Sequence, residues 1–186
     1  MKLRGQYRST ILAMLLLATL INYIDRSALS IAMPFITHDY HLTASEKGII
    51  FGAFSVGYAL LNFLGGYFSD RFGGRRVLSW SMTGWSIACA LTATVSGFWS
   101  MLTLRIVFGM GEGPNAATAN KVVNTWFPIN ERASAAGIGQ SGGPIVGFLA
   151  LTFGWRAAFI VMGVLGIFWV ILWRRVSTEP PRNIRA

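Results

Sequence analysis

Residues 66–76 read GYFSDRFGGRR, a charged segment between two long apolar ones. The apolar residues before it cover about 47–69, and those after it cover about 77–96. An apolar segment of about 20 residues is long enough to cross the hydrocarbon core of a bilayer as a helix. The pattern therefore predicts two antiparallel membrane-spanning helices joined by a positively charged inner loop, Asp70 to Arg76.

The composition of the whole chain is also that of a membrane protein. Of its 186 residues, 53% are hydrophobic and only 12% are charged, whereas soluble domains carry about 25% charged residues. The 21 glycines agree with this, because membrane helices contain more glycine than soluble ones. These values exclude most cytoplasmic enzymes and a disordered chain. The single cysteine, Cys89, excludes an intramolecular disulfide.

Apolar segments of nearly spanning length follow one another along the chain. They cover about 10–35, 47–69, 77–96, 98–123, 134–152 and 155–173. Only short turns join them, so consecutive helices must run antiparallel. We expect an all-α membrane protein with one six-helix transmembrane bundle over residues 1–176, followed by a basic cytoplasmic tail, 177–186.

The basic residues are distributed unevenly between the two sides of the membrane. If the N-terminus is inside, two basic residues lie outside, Lys47 and Arg156. The inner segments contain Lys2, Arg4, Arg8, Arg71, Arg75, Arg76, Lys121, Arg132, Arg174, Arg175, Arg182 and Arg185. This bias predicts a multi-pass protein of the cell (inner or plasma) membrane with both termini in the cytoplasm. The net charge of +9 would then face anionic lipid headgroups of the bilayer and not nucleic acid.

Four ionisable residues lie inside the apolar segments: Asp25 and Arg26 in the first, Arg105 and Glu112 in the fourth. An uncompensated charge at mid-membrane costs about 2.5–3.5 kcal/mol, so we expect these acids and bases to meet. Arg105 and Glu112 lie on one helical face, as do Asp25, Arg26 and Asn22. Structural ion pairs would explain such faces. A polar cavity with titratable carboxylates is favoured, because Ser or Asn contacts would be a cheaper structural solution.

The chain lacks the signatures of an enzyme or a metal protein. It contains no nucleophile triad, redox CxxC pair or nucleotide-binding fingerprint. His38 and His41 lie in a loop without the neighbouring pattern of cysteines or carboxylates that a metal site needs. We therefore expect no catalytic residue, no cofactor and no bound metal.

The charged segment at 66–76 resembles the loop signature of the major facilitator superfamily, G-x-x-x-D-R-x-G-R-R. The matching residues are Gly66, Asp70, Arg71, Gly73, Arg75 and Arg76, and the sequence departs at Gly74, where the family usually has a basic residue. Leu104-Arg105 with Gly109 and Gly111, and Gly154-Trp155-Arg156, resemble further motifs of that superfamily. The resemblance implies the N-terminal half of a twelve-helix carrier, with residues 66–76 as a conformational loop motif.

A narrower resemblance is to the anion:cation symporter family, which includes sugar-acid carriers of the galactonate, glucarate and hexuronate type. The residues that carry it are Asn22 to Arg26 and the region from Arg105 through Glu112-Gly113-Pro114 to Ala133. It implies proton-coupled uptake of a small organic anion, with Asp25 and Glu112 as the proton-coupling carboxylates. The substrate-binding residues that we expect from it are Arg26, Arg105, Tyr23, Tyr58 and Asn22.

The chemistry of these residue types agrees with such a function. An arginine offers a bidentate fork for the carboxylate of an anionic substrate. Burial favours the neutral form of a carboxyl group, and a nearby guanidinium favours its charged form. A substrate that arrives at the arginine would change this balance and so couple proton binding to anion binding.

The sequence is also compatible with other functions. Gly139, Gly143, Pro144 and Gly147 resemble a signature of drug:proton antiporters, so an efflux carrier of drugs or metabolites is the alternative transport function. The resemblance to the major facilitator superfamily also implies a second six-helix half. That half would be a separate chain or a second copy of this one, unless the chain is a truncated gene product. A non-transporting membrane partner of a full-length carrier is the remaining possibility.

Overall fold

The computed structural model describes residues 2–126 and 152–177, and this part of the chain is helical without strands. Its helices are α1 (Lys2–Tyr40), α2 (Ala44–Phe72), α3 (Gly74–Leu91), α4 (Phe98–Trp126) and α5 (Trp155–Val176). A 3-10 turn, Thr92–Thr94, follows α3. Helix α5 corresponds to the sixth predicted segment. The fifth predicted segment, 134–152, lies outside the described residues except for Thr152.

The helices extend beyond the apolar segments that predict them. The predicted inner loop from Asp70 to Arg76 is reduced to Gly73, which has φ 88° and ψ 146°. This backbone region is essentially restricted to glycine. The predicted outer loop from Thr37 likewise begins later, because α1 continues through Pro34 to Tyr40. Hydropathy indicates the part of a helix that contacts lipid, whereas backbone hydrogen bonds continue the helix beyond the apolar segment.

The start of α2 is fixed by a capping box. The Thr43 hydroxyl accepts a hydrogen bond from the backbone N–H of Glu46 at 3.2 Å. The Glu46 carboxylate in turn accepts one from the Thr43 backbone N–H at 2.8 Å. Two N–H groups that the first turn of a helix leaves without partners are thus satisfied. This cap keeps the connection between α1 and α2 short.

Helices α2 and α4 form the most extensive helix contact in the described part of the chain, and α3 packs between α4 and α5. Glycines bring the backbones of α2 and α4 together. A Cβ added to Gly113 would lie 2.8 Å from the Asn62 backbone nitrogen, and one added to Gly65 would lie 2.7 Å from the Pro114 Cα. Small residues at such crossings are typical of helix packing in membranes. This close contact holds the polar face of α4 in register with α2.

Replacing Gly113 with alanine is therefore expected to destabilise the bundle by about 1–3 kcal/mol, the usual effect of overpacking. The matched control is Gly52→Ala on α2, where an added Cβ meets nothing within 4 Å. That control should be neutral or slightly stabilising, because alanine has the higher helix propensity. Thermal unfolding of the purified variants in detergent measures both changes. Equal stabilities for the two variants would contradict the close contact of the backbones.

Three of the described helices are long and apolar enough to cross a membrane by themselves: Ser9–Tyr40, Ala44–Phe72 and Trp155–Val176. Large apolar side chains project from them, with Phe63 of α2 89% exposed and Val164 of α5 61% exposed. Such surfaces suit lipid tails or a further helix. Helices α3 and α4 carry more polar and charged residues, and many of these residues face the interior of the bundle.

Candidate functional site

An ion pair between Arg26 of α1 and Glu112 of α4 forms the centre of the candidate site. The Arg26 Nε donates a hydrogen bond of 2.5 Å to Glu112 Oε1. The Glu112 side chain is buried, whereas that of Arg26 is 39% exposed. Glu112 Oε2 has no hydrogen-bond partner among the described residues. The pair therefore consists of a buried carboxylate with spare accepting capacity and a guanidinium that a solute can reach.

Aromatic rings of α2 hold the Arg26 guanidinium in place. Its central carbon lies 5.1 Å from the ring centroids of both Phe54 and Tyr58. These two residues are four apart, so they share a face of α2. An arginine over an aromatic face is stabilised electrostatically by about 0.5–2 kcal/mol. The rings thus direct Arg26 toward α4 without neutralising its charge.

Arg105 of α4 is a buried guanidinium, only 4% exposed. It lies against the rings of Phe54 and Phe108, at 5.6 and 5.0 Å from their centroids. Within residues 2–126 and 152–177 it forms no ion pair, and its Nε has no hydrogen-bond partner. Arg105 precedes Glu112 by two helical turns, about 10 Å along the axis. A buried cation without an anionic partner is costly and usually marks a functional site.

Asp25 is buried on a different face of α1 from the one that carries the ion pair. Its Oδ2 accepts a hydrogen bond of 3.1 Å from the Trp85 indole, and its Oδ1 lies 3.6 Å from the Cys89 thiol sulfur. Both partners belong to α3. Although Asp25 and Arg26 are neighbours in sequence, adjacent helical residues point about 100° apart. The single polar face that the sequence predicts for this helix is therefore divided between α3 and α4.

The other predicted site residues occupy different surroundings. Asn22 is buried beside Glu112, and Tyr58 contacts Arg26. Tyr23 is 37% exposed on α1. Sequence reasoning missed Phe54 and Phe108, the rings that surround the arginines. The spacing of Phe54 from Tyr58 and of Phe108 from Arg105, at i+4 and i+3, could have indicated them.

The inner loop motif ties helix ends together. Asp70 at the end of α2 forms an ion pair with Lys121 of α4. Arg71 donates a hydrogen bond of 2.9 Å to the Tyr67 hydroxyl within α2. Gly73, the single residue between α2 and α3, has a positive φ. An added Cβ at Gly66 would meet nothing within 4 Å, so Gly65 is the closely packed glycine here.

The start of α3 is joined to the end of α5. Arg75 donates to the Ser177 hydroxyl at 3.2 Å and to the backbone carbonyl of Arg174. The Trp173 indole donates to the backbone carbonyl of Arg75 at 3.1 Å. Arg76 is exposed. We name this group, Arg75 with Trp173, Arg174 and Ser177, the inner tether.

The opposite end of α5 is joined to α1. The Trp155 indole donates a hydrogen bond of 3.0 Å to the Asp39 carboxylate, and Arg156 lies 3.2 Å from the same oxygen. Arg156 also donates to the Tyr40 hydroxyl at 2.5 Å. That hydroxyl donates to the Val95 carbonyl. We name the group of Asp39, Tyr40, Trp155 and Arg156 the outer tether.

Two further predictions from the sequence concern a bound metal and the glycine pattern in the fifth apolar segment. The described part of the chain brings together no group of three His, Cys, Asp or Glu that could hold a metal ion. The glycine and proline pattern from Gly139 to Gly147, which resembles drug:proton antiporters, lies outside the described residues.

Comparison with known proteins gives the chain a family context. The family profile described as Major Facilitator Superfamily matches residues 15–186. The chain is 47% identical over 181 residues to the hexuronate transporter of Bacillus subtilis (strain 168), covering 93% of this chain and 43% of that protein. It is 36% identical over 187 residues to the D-galactonate transporter of Escherichia coli O6:H1, covering 96% and 43%. The chain thus spans about half the length of the curated relatives it matches.

A solved structure shares the fold. A bacterial homologue of the human lysosomal transporter Spinster, in an inward-facing and occupied conformation, superposes with a TM-score of 0.80 at 25% sequence identity. The match covers 95% of this chain and 45% of that one. The expected fold class, an all-α membrane bundle corresponding to one half of such a carrier, is confirmed.

Proposed function

The chain belongs to the major facilitator superfamily, a family of transport proteins and not of enzymes, and from this premise we propose a function in secondary transport. It supplies the N-terminal half of a carrier that takes up a small organic anion, such as a sugar acid, together with protons. A second six-helix half completes such a carrier. Residues 66–76 then act as the conformational loop on the cytoplasmic side of the cell membrane, where both termini lie.

The observation that carries this proposal is the state of Arg105. Its guanidinium is buried against Phe54 and Phe108 and forms no salt bridge in the described part of the chain, where Asp25 and Glu112 act on it only at longer range. A carboxylate of the substrate would provide a direct partner, in the bidentate geometry that arginine favours. The two relatives are named for hexuronate and D-galactonate. Both molecules are sugar carboxylates, which is the chemistry that a buried arginine selects.

The Arg26–Glu112 ion pair supplies the coupling to protons. A substrate carboxylate that contacts the half-exposed Arg26 competes with Glu112 for the same guanidinium. Once it loses Arg26, the buried Glu112 carboxylate is a charge without a partner in a medium that disfavours it. Proton uptake by Glu112 removes that charge. The anion and the proton are therefore bound together and released together.

Uptake of labelled sugar acids tests the proposal. The chain is expressed alone, and with a second six-helix half, in cells that lack their own hexuronate and galactonate carriers. We expect accumulation of hexuronate or galactonate driven by an inward proton gradient and abolished by a protonophore. The neutral hexose of the same size is the matched substrate control. Equal uptake of the neutral sugar, or proton-driven export of a lipophilic cation in place of anion uptake, would contradict the proposal.

A further inference from the structure

Helix α3 offers two buried hydrogen-bond donors to Asp25. The Trp85 indole reaches Oδ2 and the Cys89 thiol reaches Oδ1, and all three side chains are at most 1% exposed. The Cys89 sulfur also lies 3.7 Å from the backbone carbonyl oxygen of Phe159 in α5. A thiol carries one hydrogen, so it donates to one of these two acceptors at a time. The sulfur thus stands between a carboxylate of α1 and a carbonyl of α5.

We propose that Cys89 is a two-position hydrogen-bond relay: its thiol donates to Asp25 when that residue is charged, and to the Phe159 carbonyl when Asp25 holds a proton. The inference rests on the proposed function, in which Asp25 is one of the proton-binding carboxylates. Trp85 and Cys89 are then positioning residues for Asp25. They give it a role separate from that of Glu112, which faces the arginine of the substrate site.

The hydrogen-bonding capacity of each group determines where the proton is bound. Oδ2 of Asp25 faces the Trp85 N–H, which can only donate, so a proton on Oδ2 would find no acceptor in the indole, whereas a proton on Oδ1 faces the sulfur. The proton therefore binds to Oδ1, and the new O–H donates to the Cys89 sulfur, a weak acceptor. The thiol hydrogen turns to the Phe159 carbonyl, which has a second lone pair. An O–H bond forms on Asp25, and the S–H bond stays intact.

The charged groups that act on Asp25 come from α4. They are Arg105 and Glu112; the α3 side contributes Cys89 and Trp85, and α5 contributes the Phe159 carbonyl. Without the relay, protonation of Asp25 would leave either its new hydroxyl or the thiol without a partner in the bundle interior. A buried polar group left unsatisfied costs about 1–3 kcal/mol. With the relay, both states of Asp25 are fully bonded, and the Phe159 carbonyl of α5 receives the thiol hydrogen bond only when Asp25 holds a proton.

Infrared spectroscopy of the chain reconstituted in lipid nanodiscs tests the relay directly. Cys89 is the one cysteine of the sequence, so the S–H stretching band, which lies in a window free of other protein absorption, belongs to it alone. The pH is varied from about 5 to about 9, which spans the range available to perturbed carboxyl groups. The carbonyl band of a protonated Asp25, identified by its loss in Asp25→Asn, reports the proton. The S–H band reports the direction of the thiol.

We expect the S–H band to shift to higher frequency as the Asp25 carbonyl band grows, because a backbone carbonyl is a weaker acceptor than a carboxylate. In Asp25→Asn the S–H band should not depend on pH. If the carbonyl band grows while the S–H band stays fixed, the relay is wrong and Asp25 remains a proton site. If no Asp25 carbonyl band develops, Asp25 does not bind the proton and both the relay and its part in the proposed function are wrong.

Transport by the chain paired with a second half provides the functional readout. Cys89→Ser retains a group that donates and accepts, so it should keep the wild-type dependence of uptake on pH. Cys89→Ala cannot relay. It removes a donor to the charged carboxylate and only a weak acceptor for the protonated one, so we expect its pH profile to move to higher pH. Ser79→Ala, which removes a buried hydroxyl bonded to its own helix at Arg75, is the matched control. Identical pH profiles for the serine and alanine variants would overturn the proposal.

Discussion

Glutamine at position 112 is expected to abolish proton-driven accumulation of the substrate, down to the level of empty vesicles, while exchange of substrate across the membrane continues. The Glu112→Gln side chain has almost the same shape as glutamate and still accepts a hydrogen bond from Arg26. It can neither bind nor release a proton, so the anion moves without one. Proteoliposomes measure both quantities: uptake under an imposed pH gradient, and counterflow against preloaded substrate without a gradient.

Glu46→Gln provides the matched control for this prediction. Glu46 lies in the capping box at the start of α2, where glutamine fills the same role as glutamate. Its replacement removes the same charge without touching the Arg26 pair, so accumulation should be unchanged. Wild-type accumulation by Glu112→Gln would exclude Glu112 as the coupling residue. Loss of both accumulation and exchange would show that the ion pair is needed for folding or for movement of the carrier.

Replacement of Arg105 by glutamine is expected to weaken substrate binding about 10- to 150-fold. This range corresponds to the loss of a charge-assisted interaction worth about 1.5–3 kcal/mol. The substrate affinity of Arg105→Lys should lie between those of the wild type and Arg105→Gln, because lysine keeps the charge and loses the bidentate fork. Lys47→Gln removes a positive charge near the start of α2 and serves as the control. Apparent affinities come from concentration dependence of uptake or counterflow.

The stability of Arg105→Gln separates a functional arginine from a structural one. A buried cation that lacks an anionic partner destabilises the protein that contains it. We therefore expect the melting temperature of the variant to hold or rise while substrate affinity falls. A melting temperature that falls together with affinity would indicate that Arg105 supports the bundle and would contradict a binding role.

The arrangement of the helices follows from the sequence because lipid imposes a simple rule. Apolar segments of spanning length predict α1, α2 and α5 well, and they also predict α3 and α4 despite the polar residues on their inner faces. Helix ends are less predictable. At Gly73 the break is a single residue, since α2 continues through charged residues that no hydropathy signal includes. The backbone conformation at that glycine, and not the composition around it, ends the helix.

The candidate site is only partly readable from the sequence. Helix geometry places Arg26 and Glu112 at a similar depth, and the structure pairs them. The same geometry could not assign Asp25, because the neighbouring helices decide whether a side chain finds Trp85 and Cys89 or a charged partner. The rings around Arg105 could not be assigned from the sequence for the same reason. Phe54 belongs to another helix, and its approach depends on glycine contacts between α2 and α4. The spacing of Gly109 and Gly113 indicates a close helix contact but not which helix makes it.

The inner and outer tethers have a mechanical consequence for the carrier. Between them they hold α5 at both ends, to α3 on one side of the membrane and to α1 on the other, by hydrogen bonds from Trp155, Arg156, Trp173 and Arg75. A helix that is hydrogen-bonded to its neighbours at both ends resists tilting relative to them, and it transmits a displacement of one end to the other. In the proposed carrier, the described helices should then rock as one stiff body, so the motion that exposes the substrate to each side is concentrated at the contact with the other half.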